Sequence, residues 1–126
     1  MRASRMLIVE DEKVLSAALS MKFENSGFEV KVLENGELAL SIAQSFKPDI
    51  ILLDLLMPKK GGKEVLKELK ADPELKRIPV VIISNLDSDD DIKACLAMGA
   101  VDYFVKSNHP IKEIVEKVKT IVQKPR

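Results

Sequence analysis

Cysteine is nearly absent: Cys95 is the only one in 126 residues, so no disulfide can close within the chain. Histidine and cysteine also fail to cluster at the spacing of a zinc site. Both shortages suit a reducing, cytoplasmic setting. An excess of one charge is missing as well. Twenty basic residues offset twenty acidic ones, for a formal net charge of zero. Phosphate-backbone binding needs a basic surplus, so direct contact with nucleic acid is not expected. Long apolar runs are absent too. Behind the basic start, Met1 to Arg5, the apolar stretch ends at Glu10, too soon for a signal peptide or a membrane span. Repeats, linkers and low-complexity tracts are likewise lacking.

What is present reads as one ordinary globular domain. Hydrophobic residues make up 46% and charged residues 32% of the chain. A chain of this size buries about two thirds of its unfolded surface and folds without staples. Short apolar runs alternate with helix-period segments from end to end, which predicts an α/β domain with a mainly parallel sheet. Strands are expected at 6–9, 28–33, 50–53, 80–83 and 103–105. Three of these runs are wholly aliphatic, as in central strands covered on both faces. The run 28–33 instead alternates charged and apolar residues, which places it near an edge.

Leu15, Ala18, Leu19 and Phe23 recur at helical spacing, as do Ala39, Ile42, Ala43 and Phe46. Val65, Leu66 and Leu69 form a shorter stripe, and Ile111 to Val122 carry a long last one. Gly27 and Gly99 fall where helix C-terminal glycines belong, Pro73 follows the third helix, and Pro110 suits the first turn of the last. These pairs of strand and helix use nearly the whole of 1–126, leaving no room for an output domain and only 123–126 as a frayed tail.

The polar residues matter most where the strands stop. The apolar runs end at Glu10-Asp11, at Asp54, at Ser84 and at Lys106. In an open parallel sheet ligands bind outside the carboxyl ends of the strands, so these groups are expected to converge in one crevice. Three carboxylates held together call for protons or for a cation. Carboxylates, a backbone carbonyl and waters suit Mg²⁺. A hydroxyl at Ser84, an ammonium at Lys106 and a divalent cation could together hold the outer oxygens of a phosphoryl group on Asp54. Any one strand-end carboxylate is more often a turn or a cap. The set, in these places, points to phosphotransfer.

Val9-Glu10-Asp11-Glu12, then Asp54-Leu55-Leu56-Met57-Pro58 with Gly62, then Ser84, then Tyr103-Phe104-Val105-Lys106, resembles the response-regulator receiver family of two-component signalling. The likeness is to its single-domain, CheY-like members and covers nearly the full length. It implies a flavodoxin-like (βα)5 doubly wound sheet of order 2-1-3-4-5, in accord with the edge position of the second strand. It further implies that Asp54 is the phosphoacceptor and that Glu10 and Asp11 form the acidic pair. Asp11, Asp54 and the backbone carbonyl of Leu56 would then hold Mg²⁺. Ser84 and Lys106 would bind phosphoryl oxygens, and Tyr103 would be the aromatic switch that turns inward as Ser84 moves. The implied donor is a histidine kinase or a histidine phosphotransfer protein. A downstream target protein would read the surface near Tyr103. By the same resemblance the chain is a phosphoacceptor that promotes its own phosphotransfer and dephosphorylation, not a free-standing enzyme.

Two positions depart from the family pattern: Ser107 stands where proline commonly follows the lysine, and Asn85 where a small residue is usual. They favour, weakly, a scaffold that binds partners without phosphorylation. A phosphohydrolase working through an aspartyl phosphate would want a second aspartate two residues after the first, and Leu56 occupies that place. Leu56 and Leu86 hold the two family positions that flank the phosphoryl group. Leucine cannot orient water, so a long-lived phosphorylated state is expected. Asp87 to Asp91 resembles a calcium loop but lacks its turn glycine and closing glutamate, and reads as the acidic first turn of a fourth helix. Gly61-Gly62-Lys63 lacks the upstream glycine and the Ser or Thr of a P-loop. His109 reads as a loop residue and Cys95 as a buried filler.

Overall fold

Branched aliphatic residues crowd the segments between turns, and in an extended chain their side chains leave alternate faces. A computed structural model of the chain, describing residues 3–123, shows the result. Strands β1 (Arg5–Val9), β2 (Glu29–Leu33), β3 (Ile50–Asp54), β4 (Val80–Ser84) and β5 (Asp102–Val105) alternate with helices α1 (Lys13–Asn25), α2 (Ala39–Phe46), α3 (Gly62–Ala71), α4 (Asp89–Ala97) and α5 (Ile111–Gln123). All strand pairs are parallel, in the order β2-β1-β3-β4-β5. This is the flavodoxin-like arrangement expected, with β2 at one edge and much of its surface open to solvent.

The alternation divides the core in two. Leu7, Val9, Ile51, Leu53, Val80 and Ile82 face one way, onto Ala43, Val65, Leu66 and Leu69 of α2 and α3. Met6, Ile8, Ile50, Leu52, Val81 and Ile83 face the other, onto Leu19, Phe23, Ile114 and Val118 of α1 and α5. Every residue of β3 and β4 is buried, as a strand covered on both faces must be.

Element limits shift slightly from those expected. Phe28 precedes β2, and its ring meets Phe23 edge to face at 5.3 Å. Asp54 and Ser84 are the final strand residues rather than the first loop residues. Pro110 stands just before α5, where its carbonyl accepts from the N–H groups of Glu113 and Ile114 at 3.0 and 3.2 Å. Gln123, expected to begin a frayed tail, is helical, and the rest of that expectation, 124–126, lies outside the described residues. A short 3-10 turn, Leu75–Arg77, leads into β4. Gly99 ends its helix at φ +112°, a conformation that residues with a side chain rarely adopt. No helix among the described residues is long and apolar enough to cross a membrane.

Candidate functional site

Strand register brings the polar strand ends together. Val9 lies opposite Leu53, Asp54 opposite Ile83, and Ser84 opposite Val105. Glu10, one residue past β1, donates its N–H to the Leu33 carbonyl at 2.9 Å, and Lys106, one past β5, donates its own to the Ser84 carbonyl at 2.8 Å. The ladder thus continues one residue beyond the strands and fixes both side chains at the crevice. Below it α3 starts so close to β3 that a Cβ on Gly62 would overlap the Asp54 carbonyl oxygen. Only glycine permits that approach.

Glu10, Asp11 and Asp54 each offer an oxygen, and these atoms lie within 4.8 Å of one another. Glu10 and Asp54 are each only 3% exposed, whereas solvent reaches Asp11. Burial first, and then the charge of Glu10, push the Asp54 carboxyl up to about 7, against the opposing pull of Lys106. The Leu56 N–H lies 3.4 Å from Asp54 Oδ1. Such a set of hard oxygen donors, with more negative charge than its own surroundings neutralise, fits a divalent cation such as Mg²⁺ or Mn²⁺.

Lys106 is held among carboxylates. Its Nζ lies 2.9 Å from Glu10 Oε1, 2.9 Å from Glu12 Oε2 and 3.5 Å from Asp54 Oδ2. The Glu12 contact is an aligned hydrogen bond. The close approach to Glu10 is ionic but poorly aligned, since Glu10 Oε1 has no hydrogen-bond partner of good geometry. Burial acts to lower the lysine's pKa, and the hydrogen bond to Glu12, the close carboxylate of Glu10 and the charge of Asp54 outweigh it, so the ammonium is held more firmly than usual.

Ser84 is fully buried, and its Oγ accepts from the Leu86 N–H at 3.1 Å. The Leu86 carbonyl accepts in turn from the Tyr103 hydroxyl at 2.7 Å. Tyr103 therefore already points inward while Ser84 Oγ is bonded to the Leu86 N–H, whereas the inward turn was expected only as Ser84 moves. The reason is that the Leu86 carbonyl seats the hydroxyl in this arrangement; burial raises its pKa. A continuous path runs from Ser84 through the Leu86 backbone to the ring of Tyr103.

Of the residues singled out in the sequence, Glu10, Asp11, Asp54 and Lys106 meet in the crevice, Ser84 ends the neighbouring strand β4, and Tyr103 is reached through the Leu86 backbone. Leu56 stands in the loop after β3 and is 57% exposed, while Leu86 is half-buried against the core. Asn85 is exposed, and the described residues contain no cis peptide, at Lys106-Ser107 or elsewhere. The discounted motifs stay outside the site. Ser88 caps α4 by accepting from the Asp91 N–H, with Asp89, Asp90 and Asp91 in the first turn. His109 pairs with Glu113 at 3.1 Å, and Cys95 is buried. Two participants had no role assigned from sequence, Glu12 and the Leu86 carbonyl. A third carboxylate directly after the acidic pair was the available signal for the first. A backbone acceptor leaves none.

Comparison with known proteins agrees with this geometry. The sequence profile described as "Response regulator receiver domain" matches residues 6–119. Response regulator Rcp1 of Synechocystis sp. is 36% identical over 125 residues, covering 92% of this chain and 84% of the relative. The crystal structure of the Mn²⁺-bound form of Rcp1 superposes with a TM-score of 0.76 at 33% identity, covering 95% of this chain and 89% of that one. The phosphorylated cyanobacterial phytochrome response regulator RcpA gives a TM-score of 0.81 at 35% identity, over 94% of this chain and 91% of that one. The alkaline phosphatase synthesis transcriptional regulatory protein PhoP of Bacillus subtilis is 34% identical over 120 residues, which is 95% of this chain but 49% of the relative. The chain thus spans about half the length of that relative.

Proposed function

The chain belongs to the response regulator receiver family of two-component signalling, and from that premise we propose that Asp54 accepts a phosphoryl group from a phosphohistidine donor. Glu10, Asp11 and Asp54 form the acidic pocket typical of phospho-accepting members, signalling domains rather than enzymes with a separate substrate. The observation that carries the reading is this convergence of carboxylates with Lys106 around the end of β3.

In the proposed step an Asp54 carboxylate oxygen attacks phosphorus. The new O–P bond gives an acyl phosphate while the N–P bond of the donor breaks, its electron pair staying on the imidazole. Asp11, Asp54 and the Leu56 carbonyl would hold Mg²⁺, with Glu10 completing the acidic set. Bound there, the cation supplies the positive charge that ionises Asp54 and offsets the phosphoryl oxygens. Lys106 and Ser84 grip those oxygens. As Ser84 Oγ turns toward the phosphoryl group, its bond to the Leu86 N–H is exchanged, and the Leu86 carbonyl that seats Tyr103 moves with it. A ligand shifts an equilibrium only through contacts that differ between the two states, and this path supplies them. The donor is a histidine kinase or histidine phosphotransfer protein of the cytoplasm. The reader is a target protein docking near Tyr103.

The test is labelling by acetyl phosphate or a phosphohistidine donor. Label should appear with Mg²⁺, vanish with a chelator and be absent in Asp54→Asn. Undiminished labelling of Asp54→Asn would remove Asp54 from the reaction. At limiting Mg²⁺, Asp11→Ala should label more slowly.

A further inference from the structure

Glu12 follows the acidic pair and begins α1, where its carbonyl accepts the Ser16 N–H at 2.9 Å. A residue in that position commonly turns its side chain back to cap its own helix. Glu12 does not: it makes no side-chain cap hydrogen bond, and α1 has no acidic residue in its first turn. Its carboxylate reaches instead across the crevice to Lys106, a partner 94 residues away, in the lysine's aligned hydrogen bond at 2.9 Å. Asp54, the group Lys106 is to serve, lies farther off at 3.5 Å.

Burial divides the two ends of this link. Lys106 is 12% exposed and Glu12 53%. The Glu12 backbone is fixed by its N–H donating to Glu10 Oε2 at 2.9 Å, so the arm rises from an anchored base with about half of its side chain open to water. Carboxylate and phosphoryl oxygens are acceptors of the same kind for an ammonium. The Glu12 tip therefore offers Lys106, at the mouth of the crevice, what a phosphoryl group on Asp54 would offer within it. Its negative charge also opposes a second anion arriving there.

We propose that Glu12 is a positioning residue, a solvent-side tether that holds the Lys106 ammonium at the mouth of the crevice and competes with phosphoryl oxygens for it. The proposal rests on the phosphoacceptor reading above. It adds a restraint on the resting state, because the Glu12 contact draws the ammonium outward, away from where phosphoryl oxygens on Asp54 would meet it. A link with one end in water is weak, worth a small factor rather than a block.

The experiment is a titration with beryllofluoride at saturating Mg²⁺, following the ¹⁹F resonance of the bound anion in wild type, Glu12→Gln and Glu12→Asp. Glu12→Gln removes charge and tether. Glu12→Asp keeps the charge on an arm one methylene shorter, which no longer reaches Lys106. Both variants should bind the anion about two- to fivefold more tightly than wild type, the size of a partly exposed ion pair. Thermal midpoints in the absence of the anion should stay close together, as a purely structural role would not allow. Equal or weaker binding by Glu12→Gln overturns the proposal. So does tighter binding by Glu12→Gln with none by Glu12→Asp, which would reduce the effect to bulk charge. Wild type that binds no beryllofluoride at all overturns the phosphoacceptor reading itself, and the tether with it.

Discussion

Two lysines, one toward each end of the sheet, are buried in opposite ways. Lys70 closes α3 beside a groove of about 1110 Å³ at the amino ends of the strands. Its ammonium donates to the backbone carbonyls of Lys76 and Ile78 at 3.1 and 2.9 Å, and burial lowers its pKa. Its methylenes lie against Gly99, where a Cβ would stand 3.2 Å from them. Lys106, at the carboxyl ends, sits among three carboxylates, and its pKa is raised. Carbonyl dipoles built into a turn have no other task and stay where the backbone puts them. Carboxylates can be protonated, bind a cation or be phosphorylated. One lysine is fastened to the fold, and the other is fastened to groups whose charge can change.

Exchanging the two losses is the strongest way to break this contrast. Lys106→Ala should abolish the beryllofluoride-induced change in hydrogen exchange around Tyr103 while Mg²⁺-dependent labelling of Asp54 persists. Lys70→Ala should leave that response intact and cost about 1–3 kcal/mol of stability, because two carbonyls lose their donor. Urea unfolding and hydrogen exchange on both variants decide it. A Tyr103 response that is the same in Lys106→Ala and wild type would show that this lysine, like Lys70, serves the fold alone.

The second contrast is in pH. With its carboxyl raised to about 7, native Asp54 holds a proton that the unfolded chain, at an ordinary carboxylate pKa, has already released. Its contribution to stability therefore falls as pH rises from about 4 to about 7. In chelator, Asp54→Asn should be more stable than wild type above that window, and the gap should close below it. Mg²⁺ should raise the stability of wild type at neutral pH more than that of Asp54→Asn. Parallel pH profiles for the two proteins would contradict the raised pKa.

The smallest expected effect concerns lifetime. Leu56 is exposed in the loop after β3 and Leu86 half-buried against the core, and neither side chain can orient water. Leu56→Asn with Leu86→Glu should hasten loss of phosphate about tenfold, a barrier change of about 1.4 kcal/mol. Phosphate retention after donor removal measures it. Wild type losing phosphate as fast as the double variant would mean that the leucines do not protect the acyl phosphate.

The strand ends were legible because unbroken aliphatic runs stop at charged or hydroxyl residues, and a parallel sheet lines such ends up. The edge place of β2 was legible from Glu29 and Lys31 alternating with valines. Single-residue shifts at Asp54 and Ser84 were not, since a polar side chain can finish a ladder as well as begin a loop. Nor was the turn at 75–77, which a stretch of Leu-Lys-Arg does not announce. Lys59 at φ +67°, bending the loop after β3, gave no warning either. The pairing of Lys106 with Glu12 depends on side-chain reach across the crevice, and no spacing along the chain encodes it. Lys70 was invisible for the same reason, because backbone carbonyls, which every residue carries, satisfy it.

Tyr103 carries one more consequence. It is the single tyrosine in a chain without tryptophan. Intrinsic fluorescence, apart from the weak emission of phenylalanine, therefore arises from this one ring. In the inward position its hydroxyl is bound to a backbone carbonyl and shielded from water. An outward rotation would exchange that carbonyl for solvent and change the emission. The switch proposed for Tyr103, where it moves this ring, would thus be read in a fluorimeter from the unlabelled protein, with no residue added and none replaced.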